Sequence, residues 1–329
     1  MLGLFFTLGY LIASSTATRS SVGKTGVPPV NDPDYKHQAP YFDAINIPKA
    51  WRRLTSTRVL RQKVTVALID TGVKYNHPDL VGNLVTGYNV IRNSTDTDDK
   101  AGHGTMMAGV LGATINNSIG IAGVMDLVNI MPISLEENFV DEPEAASLQY
   151  AIETKDTRRI KIILMAFSGN ILRPKVAQKI RQAVQAGMLV IVTAGNYGIN
   201  VTVDKRYPCA LTQQLTSMLC VAGTEQSKMR LGTFSNFANY VDIAAPGDKI
   251  ETTSTLVSYD QFTGTSPAAA IVAGVAAMLY SLAPGLTPAD VKKIPKSTSR
   301  KGLKDSTGKV TLPFGRVDAD KSVAMLIPR

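Results

Sequence analysis

The sequence predicts an α/β protein built on a parallel β-sheet with helices packed on both faces. Short β-branched runs alternate along the chain with segments of helical spacing, an alternation typical of parallel sheets. The predicted strands are continuous apolar runs, as strands buried on both faces should be. The chain has 329 residues, 44% of them hydrophobic and 19% charged, which suits one large core.

The pattern can be assigned element by element along the chain. Strands are predicted at 63–70, 127–135, 159–167, 187–195 and 219–224. Helices are predicted between them at 104–114, 143–154 and 173–187. A further helix is predicted to begin at Ser266, because Pro267 suits a first helical position and small residues follow it. In such sheets, functional residues collect after the carboxyl ends of the strands.

Four polar residues occupy such positions. Asp70 ends the first strong strand and Asn196 follows the strand at 187–195, while His103 and Ser266 each precede a helical pattern. Taken singly, each is explained equally well as a turn or capping residue. The chain has three histidines, and His103 alone is bracketed by glycines that would let a substrate approach. Together the four supply an acid, a base, an amide donor and a hydroxyl on one sheet.

Four short motifs around these residues occur in a fixed order. They read ALIDTGV, GHGT, TAGN and GTSPAAAIVAG. In this content and order the chain resembles the subtilisin-like serine proteases, from about residue 31 to residue 323. The resemblance implies a three-layer α/β/α fold with a mainly parallel sheet of about seven strands. It also implies a secreted serine endopeptidase that acts on protein or peptide substrates.

The resemblance also implies a role for each residue. Ser266 would be the nucleophile that forms an acyl-enzyme, His103 the base and Asp70 the residue that orients the imidazole. Asn196 would donate its amide to the oxyanion, together with the Ser266 N–H. The wall of the substrate pocket would be formed by Ala166, Phe167, Ser168 and Gly169.

A metal site is implied by the segment INNSIGIAG at 115–123, which resembles the calcium loop of bacterial subtilisins. The ligands carried over by position are Gln38, Asp79, Asn117 and the carbonyls of Ile115, Ile119 and Ile121. All of them are oxygen donors, as calcium requires. The alternative is an ordinary Asn/Ser/Gly loop without an ion.

The N-terminus predicts entry into the secretory pathway. Residues 1–17 combine an apolar run with a small-residue cleavage site and are interpreted as a signal peptide. An extension at 18–34 and a peptidase domain at 35–329 follow, and no integral membrane segment is expected after cleavage. Because no propeptide of the usual size fits before residue 31, we expect an inhibitor or chaperone acting in trans. Cys209 and Cys220 are compatible with a disulfide or with two buried thiols.

The net charge is +9, with a crowd of lysines and arginines near the C-terminus. No aromatic-interleaved basic motif accompanies it, so nucleic acid is not an expected partner, and a monomer is expected. The acidic run at 136–144 raises the hypothesis of a preference for basic substrate residues upstream of the cleaved bond. Its alternative is solvated surface.

Two departures from the resemblance bear on function and fold. Ala270 and Ile271 stand where the resembled proteins usually have proline and histidine, which keeps open an inactive subtilisin-fold protein that binds peptides or partners. Pro295 predicts that a C-terminal helix stops near Ile294. An esterase of the α/β-hydrolase type is excluded, because Ser266 comes last and lacks the Gly-x-Ser-x-Gly context.

Overall fold

A seven-stranded parallel sheet forms the centre of the molecule. The computed structural model describes residues 30–327, so the predicted signal peptide and most of the 18–34 extension lie outside the described residues. The strand order is β2-β3-β1-β4-β5-β6-β7. The strands are β1 Val64–Asp70, β2 Tyr88–Asn89, β3 Val128–Ser134, β4 Ile160–Met165, β5 Leu189–Thr193, β6 Met218–Thr224 and β7 Ile243–Pro246. All five predicted strands are confirmed, and β2 and β7 join them.

Helices cover both faces of the sheet. They are α1 Tyr35–Ala44, α2 Ile47–Ser56, α3 His103–Gly112, α4 Asp141–Arg158, α5 Pro174–Gln185, α6 Thr265–Leu282, α7 Pro288–Thr298 and α8 Ala319–Ala324. Helices α3 and α6 pack on one face with α1 and α2, and α4 and α5 pack on the other. A two-stranded antiparallel hairpin completes the fold, with β8 Ile250–Thr253 and β9 Tyr259–Phe262. The predicted three-layer α/β/α architecture is confirmed.

Strand β1 shows how the sheet divides the core. All seven of its residues are buried, and successive side chains point to opposite faces. Val66 and Leu68 join the apolar cluster under α3 and α6, whereas Ala67 and Ile69 join the cluster under α4 and α5. Its last residue, Asp70, pairs in register with the end of β3. The carboxyl ends of the central strands therefore meet at one edge of the sheet.

Helix α6 is buried along its whole length of 18 residues. Small side chains make this possible: a Cβ added to Gly274 would lie 2.5 Å from the side chain of Val124. Among residues 30–327, α6 is the one helix whose length and mean hydropathy of 1.5 would allow it to cross a membrane, and all of it lies inside the protein. The predicted helix start is confirmed, with Ser266 as the second helical residue.

The expectation that Pro295 ends its helix is wrong. Helix α7 continues through Pro295 to Thr298, and the proline itself is buried. A proline inside a helix removes one N–H and costs stability, but packing can offset that cost. The following turn is supported by side chains, since the hydroxyls of Ser297 and Thr298 both donate to the Ile294 carbonyl, at 2.9 and 2.8 Å.

The two cysteines form a disulfide. Cys209 begins a short 3₁₀ helix at Cys209–Gln213, and Cys220 lies in β6. The sequence was compatible with a disulfide or with two buried thiols, and the structure contains the disulfide. The bond closes a short loop over the second face of the sheet.

Replacing both Cys209 and Cys220 by alanine is expected to lower the free energy of unfolding by about 3 kcal/mol, because a disulfide restricts the unfolded chain. The melting temperature of the inhibited protein, measured by calorimetry, checks this. Reduction of the parent protein should lower it similarly, whereas reductant should leave the double variant unchanged. Equal melting temperatures for parent and variant would contradict the expectation.

Candidate active site

Asp70 and His103 are brought together where β1 ends and α3 begins. The Asp70 carboxylate is buried and accepts a hydrogen bond from His103 Nδ1, with distances of 2.8 and 3.0 Å to its two oxygens. It also accepts the Thr71 N–H at 2.8 Å. The close approach of α3 requires glycine, since a Cβ on Gly104 would lie 2.0 Å from the Gly72 carbonyl oxygen. The imidazole is thus held by Nδ1, and Nε2 is left for other chemistry.

A second carboxylate, which the sequence analysis did not single out, acts on the same imidazole. Asp99 is buried and accepts the N–H groups of Gly102 and Thr105 at 2.8 and 2.9 Å, which fixes the first turn of α3. Burial lowers the pKa of His103, but the carboxylates of Asp70 and Asp99 raise it by more, so the pKa lies above its usual value. The signal in the sequence was an aspartate four residues before a histidine that begins a helix.

Ser266 lies at the start of α6, on the same cleft as His103. Its side chain is buried, and the hydroxyl donates to the Ala166 carbonyl at 2.7 Å. Among the described residues no hydrogen bond joins Ser266 Oγ to His103. Such contacts are often loose before substrate binds, and rotation of one side-chain bond redirects the hydroxyl.

Asn196 reaches the cleft from the loop after β5. Its Oδ1 accepts both the N–H and the hydroxyl of Thr265, at 2.8 and 2.7 Å. The amide is oriented by these two donors, and Nδ2 is left as the group that can donate. Nδ2 lies beside Gly264, where an added Cβ would be 3.1 Å away. The Ser266 N–H belongs to the first turn of α6, whose N–H groups have no partner within the helix.

A cleft of about 480 Å³ contains these groups. It is lined by Thr71, His103, Phe139, Ala166, Phe167, Ser168, Thr193, Asn196, Tyr197, Phe262 and Ser266. The structure therefore brings together every predicted catalytic and pocket residue except Asp70, which lies behind His103, and Gly169. Gly169 lines a neighbouring cavity, and its N–H and carbonyl both pair with Tyr207 at 2.8 Å.

Aromatic side chains that the sequence analysis did not predict form the rims of the cleft. Phe262 meets the His103 ring edge-on at a centroid distance of 5.5 Å. Phe139 contacts Phe167 in the same way at 4.8 Å. These walls are uncharged. They shield part of the imidazole from solvent, and the His103 side chain keeps 25% of its surface exposed.

The acidic run at 136–144 is largely neutralised by bases. Glu136 pairs with Arg92, Glu142 with Lys175 and Glu144 with Arg173. Since three of its five carboxylates have such partners, the field that the run can exert on a substrate is reduced. Glu137 and Asp141 have no ion-pair partner among the described residues, so the preference for basic residues upstream of the cleaved bond stays a hypothesis that rests on these two carboxylates.

The residues of the predicted calcium loop lie together, with a hydrogen-bonded network among them. Asp79 is buried, and its two oxygens accept Asn117 Nδ2 at 2.8 Å and the Ile121 N–H at 3.1 Å. The Asn117 oxygen accepts the Ile119 N–H at 2.9 Å. Gln38 is bound to the same loop, because its amide both donates to and accepts from the backbone of Ala122 at 2.8 Å.

A second buried carboxylate, Asp32, joins this loop through the N–H groups of Asn116 and Asn117, at 2.9 and 3.0 Å. Burial raises the pKa of both Asp32 and Asp79, and the charge of Asp32 adds to the rise at Asp79. The buried hydroxyl of Tyr259 lies beside Gly120 and near Asp79, and the negative charge of Asp79 raises the pKa of Tyr259 beyond the effect of burial. Two buried carboxylates and several oxygens fit a hard cation. No cluster of three or more His, Cys, Asp or Glu residues occurs in the described part of the chain.

At this edge of the sheet His103 and Ser266 line one cleft, and the Asp70 carboxylate is hydrogen-bonded to His103 from behind. An acid, an imidazole and a hydroxyl are the groups that a serine hydrolase uses. Comparison with known proteins identifies the protein family. The model of the subtilase family (peptidase S8) matches residues 61–315. The chain belongs to the subtilase family and is a serine endopeptidase by class.

Relatives within the family resemble the chain to different extents. Thermitase from Thermoactinomyces vulgaris is 30% identical over 296 residues, which cover 89% of this chain and 98% of thermitase. The major intracellular serine protease of Bacillus subtilis is 32% identical over 72% of this chain and 73% of its own length. An extracellular protease of Xanthomonas campestris is 29% identical over 78% of this chain and 50% of its own length.

Solved structures agree with the fold. A protease from Pseudoalteromonas arctica superimposes with a TM-score of 0.77 at 25% identity, covering 90% of this chain and 99% of its own. Fervidolysin from Fervidobacterium pennivorans, whose structure is described as that of a keratinolytic enzyme related to subtilisin, gives 0.71 at 25% identity over 86% of this chain and 45% of its own.

Asp99→Asn is expected to move the acid limb of the pH profile of kcat/KM to lower pH. The negative charge stabilises protonated imidazole, so its removal lowers the pKa of His103, and the neutral base persists to lower pH. Hydrolysis of an uncharged peptide substrate across the pH range measures the shift. Asp98→Asn, which changes the neighbouring carboxylate that pairs with Lys100, serves as the control. An acid limb equal to that of the parent would contradict the role of Asp99.

Proposed function

We propose that the chain is a secreted serine endopeptidase that works through Asp70, His103 and Ser266. Ser266 Oγ attacks the peptide carbonyl while His103 Nε2 takes its proton, and a tetrahedral intermediate forms. The intermediate then collapses to an acyl-enzyme as the imidazolium gives that proton to the leaving amine. Water attacks the acyl-enzyme by the same route, which releases the acid and restores the hydroxyl. The observation that carries the proposal is the buried Asp70–His103 hydrogen bond facing a cleft that contains Ser266.

Asn196 is proposed to stabilise the oxyanion. Its oxygen is held by Thr265, so Nδ2 can donate to the negative charge that develops on the substrate carbonyl. The Ser266 N–H is the second donor, and it lies at the positive end of α6. Pro267 follows Ser266 and removes neither donor.

The substrate is proposed to bind as an extended strand along Ala166, Phe167 and Ser168. This segment continues β4 beyond the sheet and lines the cleft. An added strand gains affinity from main-chain hydrogen bonds and specificity from side-chain pockets. The backbone of Gly169 would not bind substrate, because its N–H and carbonyl are already hydrogen-bonded to the backbone of Tyr207. Since the pocket wall is uncharged, the residue at the cleaved bond should be uncharged as well.

Secretion is proposed from the apolar N-terminal run at 1–17 and from the disulfide. Disulfides persist in oxidising compartments, so the Cys209–Cys220 bond is consistent with export. The same proposal assigns residues 18–34 to an extension and residues 35–329 to the peptidase domain. It also includes a monomeric state and an inhibitor or chaperone that acts in trans.

A structural calcium ion is proposed at the loop that contains Asn117. The side chains of Gln38, Asp79 and Asn117 would hold it with the carbonyls of Ile115, Ile119 and Ile121, and Asp32 would join them. The ion would neutralise two buried carboxylates and cross-link the N-terminal segment to the loop. The residues would have to exchange hydrogen bonds with N–H groups for bonds to the ion.

Ser266→Ala and His103→Ala are each expected to abolish labelling by a fluorophosphonate and to lower kcat/KM by at least about 10³-fold. The double variant should lose little more, because members of a triad act as a unit. Ser297→Ala, which changes an exposed hydroxyl on α7, is the control. Unlabelled parent protein would support the alternative, a peptide-binding protein without catalysis, since Ser266 donates to Ala166 rather than to His103. Labelling of Ser266→Ala equal to that of the parent would refute the assignment.

Removal of calcium by a chelator is expected to lower the melting temperature of the active-site-inhibited protein. A ligand bound only to the native state stabilises it, by about 2.7 kcal/mol at 100 times its Kd. Asp79→Asn should reduce the response to added calcium, and Asp43→Asn, on the exposed side of α1, should retain it. A melting temperature indifferent to chelator and calcium would contradict the site.

A further inference from the structure

A basic groove lies at the edge of the sheet opposite the cleft. It has a volume of about 730 Å³ and lies where β1 and β4 begin. Its walls include Lys63, Thr65, Asn129, Lys161, Tyr280 and Pro284. Since β1 has seven residues, the groove is separated from Asp70 by roughly 20 Å. The groove is therefore remote from the peptidase chemistry.

The charge of the groove is strongly unbalanced. Its lining contains the cations Lys63, Lys155, Arg158, Arg159 and Lys161, against one acid, Asp156. Within residues 30–327, Lys155 alone among these cations has an acidic partner, and that partner is Asp156. Some cations outside the lining, by contrast, are paired with acids.

Arg61 and two lysines of α7 are examples of cations outside the lining that have acidic partners. Arg61, two residues before Lys63, forms a two-pronged pair with Asp126, at 2.9 and 2.5 Å. On α7, Lys292 and Lys296 share Asp242. Four of the five lining cations, Lys63, Arg158, Arg159 and Lys161, therefore have no carboxylate partner among residues 30–327.

One of the groove cations is held in a defined position. Lys161 is oriented by two contacts, a hydrogen bond of 3.0 Å to the Pro284 carbonyl and a position 5.7 Å from the centroid of the Tyr280 ring. Arg159 follows α4 as its C-cap, in the left-handed conformation with φ of 54°. The ammonium group of Lys161 is therefore placed before any ligand binds, while the exposed arginines are free to adjust.

We propose that this groove binds a linear sulfated polysaccharide. Guanidinium groups bind sulfate oxygens through two parallel hydrogen bonds, and a volume of this size holds a small group of sugar units rather than a single ion. Lys63 and Lys161 lie on the strand side, and Arg158 and Arg159 on the helix side, so a chain passing along the groove meets charges on both walls. The protease would be anchored on the polymer with its cleft directed away.

Two other polyanions fit the groove less well. Single-stranded nucleic acid is bound by stacking of bases on exposed aromatic rings, and the one aromatic residue in the lining, Tyr280, is buried. Anionic membranes are bound by surfaces that insert apolar side chains beside the charges. The groove is concave, and the apolar Val64 and Ile160 in its lining are buried.

The test measures binding of a size-defined heparin oligosaccharide to the intact protein by calorimetry at moderate salt. Arg158→Gln with Arg159→Gln is expected to weaken binding about tenfold, since each exposed charge pair contributes up to about 1 kcal/mol. Lys301→Gln with Lys309→Gln removes the same charge from the exposed C-terminal region and should change affinity less than about twofold. Peptidase activity equal to that of the parent in both double variants shows that they are folded.

Three outcomes would overturn the proposal. The first is no measurable binding of the heparin oligosaccharide by the parent protein. The second is equal weakening in the two double variants, which would mean that net charge alone attracts the polymer. The third is tighter binding of single-stranded RNA, or of vesicles of phosphatidylcholine and phosphatidylserine, with the same dependence on Arg158 and Arg159. That result would assign the groove to a different polyanion.

Discussion

The complete burial of α6 is the constraint on which the rest of the structure depends. A helix with no exposed side chain must be surrounded on every side, and here the sheet, α3 and the chain around Val124 surround it. Close packing at that density admits few large side chains, which explains the run of alanines after Ser266. Because the helix begins at the carboxyl edge of the sheet, its unpaired N–H groups open onto the cleft. Packing thus fixes where a hydroxyl and an oxyanion donor lie.

Charged groups lie at both ends of the sheet, but for different reasons. At the carboxyl edge, Asp70 and Asp99 are buried beside one imidazole and raise its pKa. At the other edge, Arg158 and Arg159 lie at the end of α4, where the helix dipole favours positive charge. The dipole explains a basic helix end, but Lys161 lies in β4 and Lys63 directly precedes β1, so these two need another explanation. Their convergence with the arginines is what distinguishes a groove from an ordinary helix terminus.

Much of the fold could be predicted from the sequence, because strands buried on both faces leave continuous apolar runs and helix starts leave Ser–Pro and Gly–His signals. The prediction failed where a tertiary contact outweighs a local rule. A proline such as Pro295 usually ends an isolated helix, yet α7 continues through it because the helix is packed against the protein. The ion pairs of the acids at 136–144 with Arg92 and Arg173, which are distant in sequence, could not be predicted for the same reason. Asp99 was missed because its effect depends on burial, which the sequence does not reveal.

The polar side chains of the site are held mainly by backbone groups, and this links stability to function. Asp70 accepts the Thr71 N–H, Asp99 accepts those of Gly102 and Thr105, and Asn196 accepts that of Thr265. Each N–H lies at a strand end or a helix start, where it has no partner in regular secondary structure. A buried N–H without a partner costs about 1–3 kcal/mol, so these side chains stabilise the fold before they act on a substrate. Folding therefore fixes the orientation of these side chains, and no substrate-binding energy is needed to orient them.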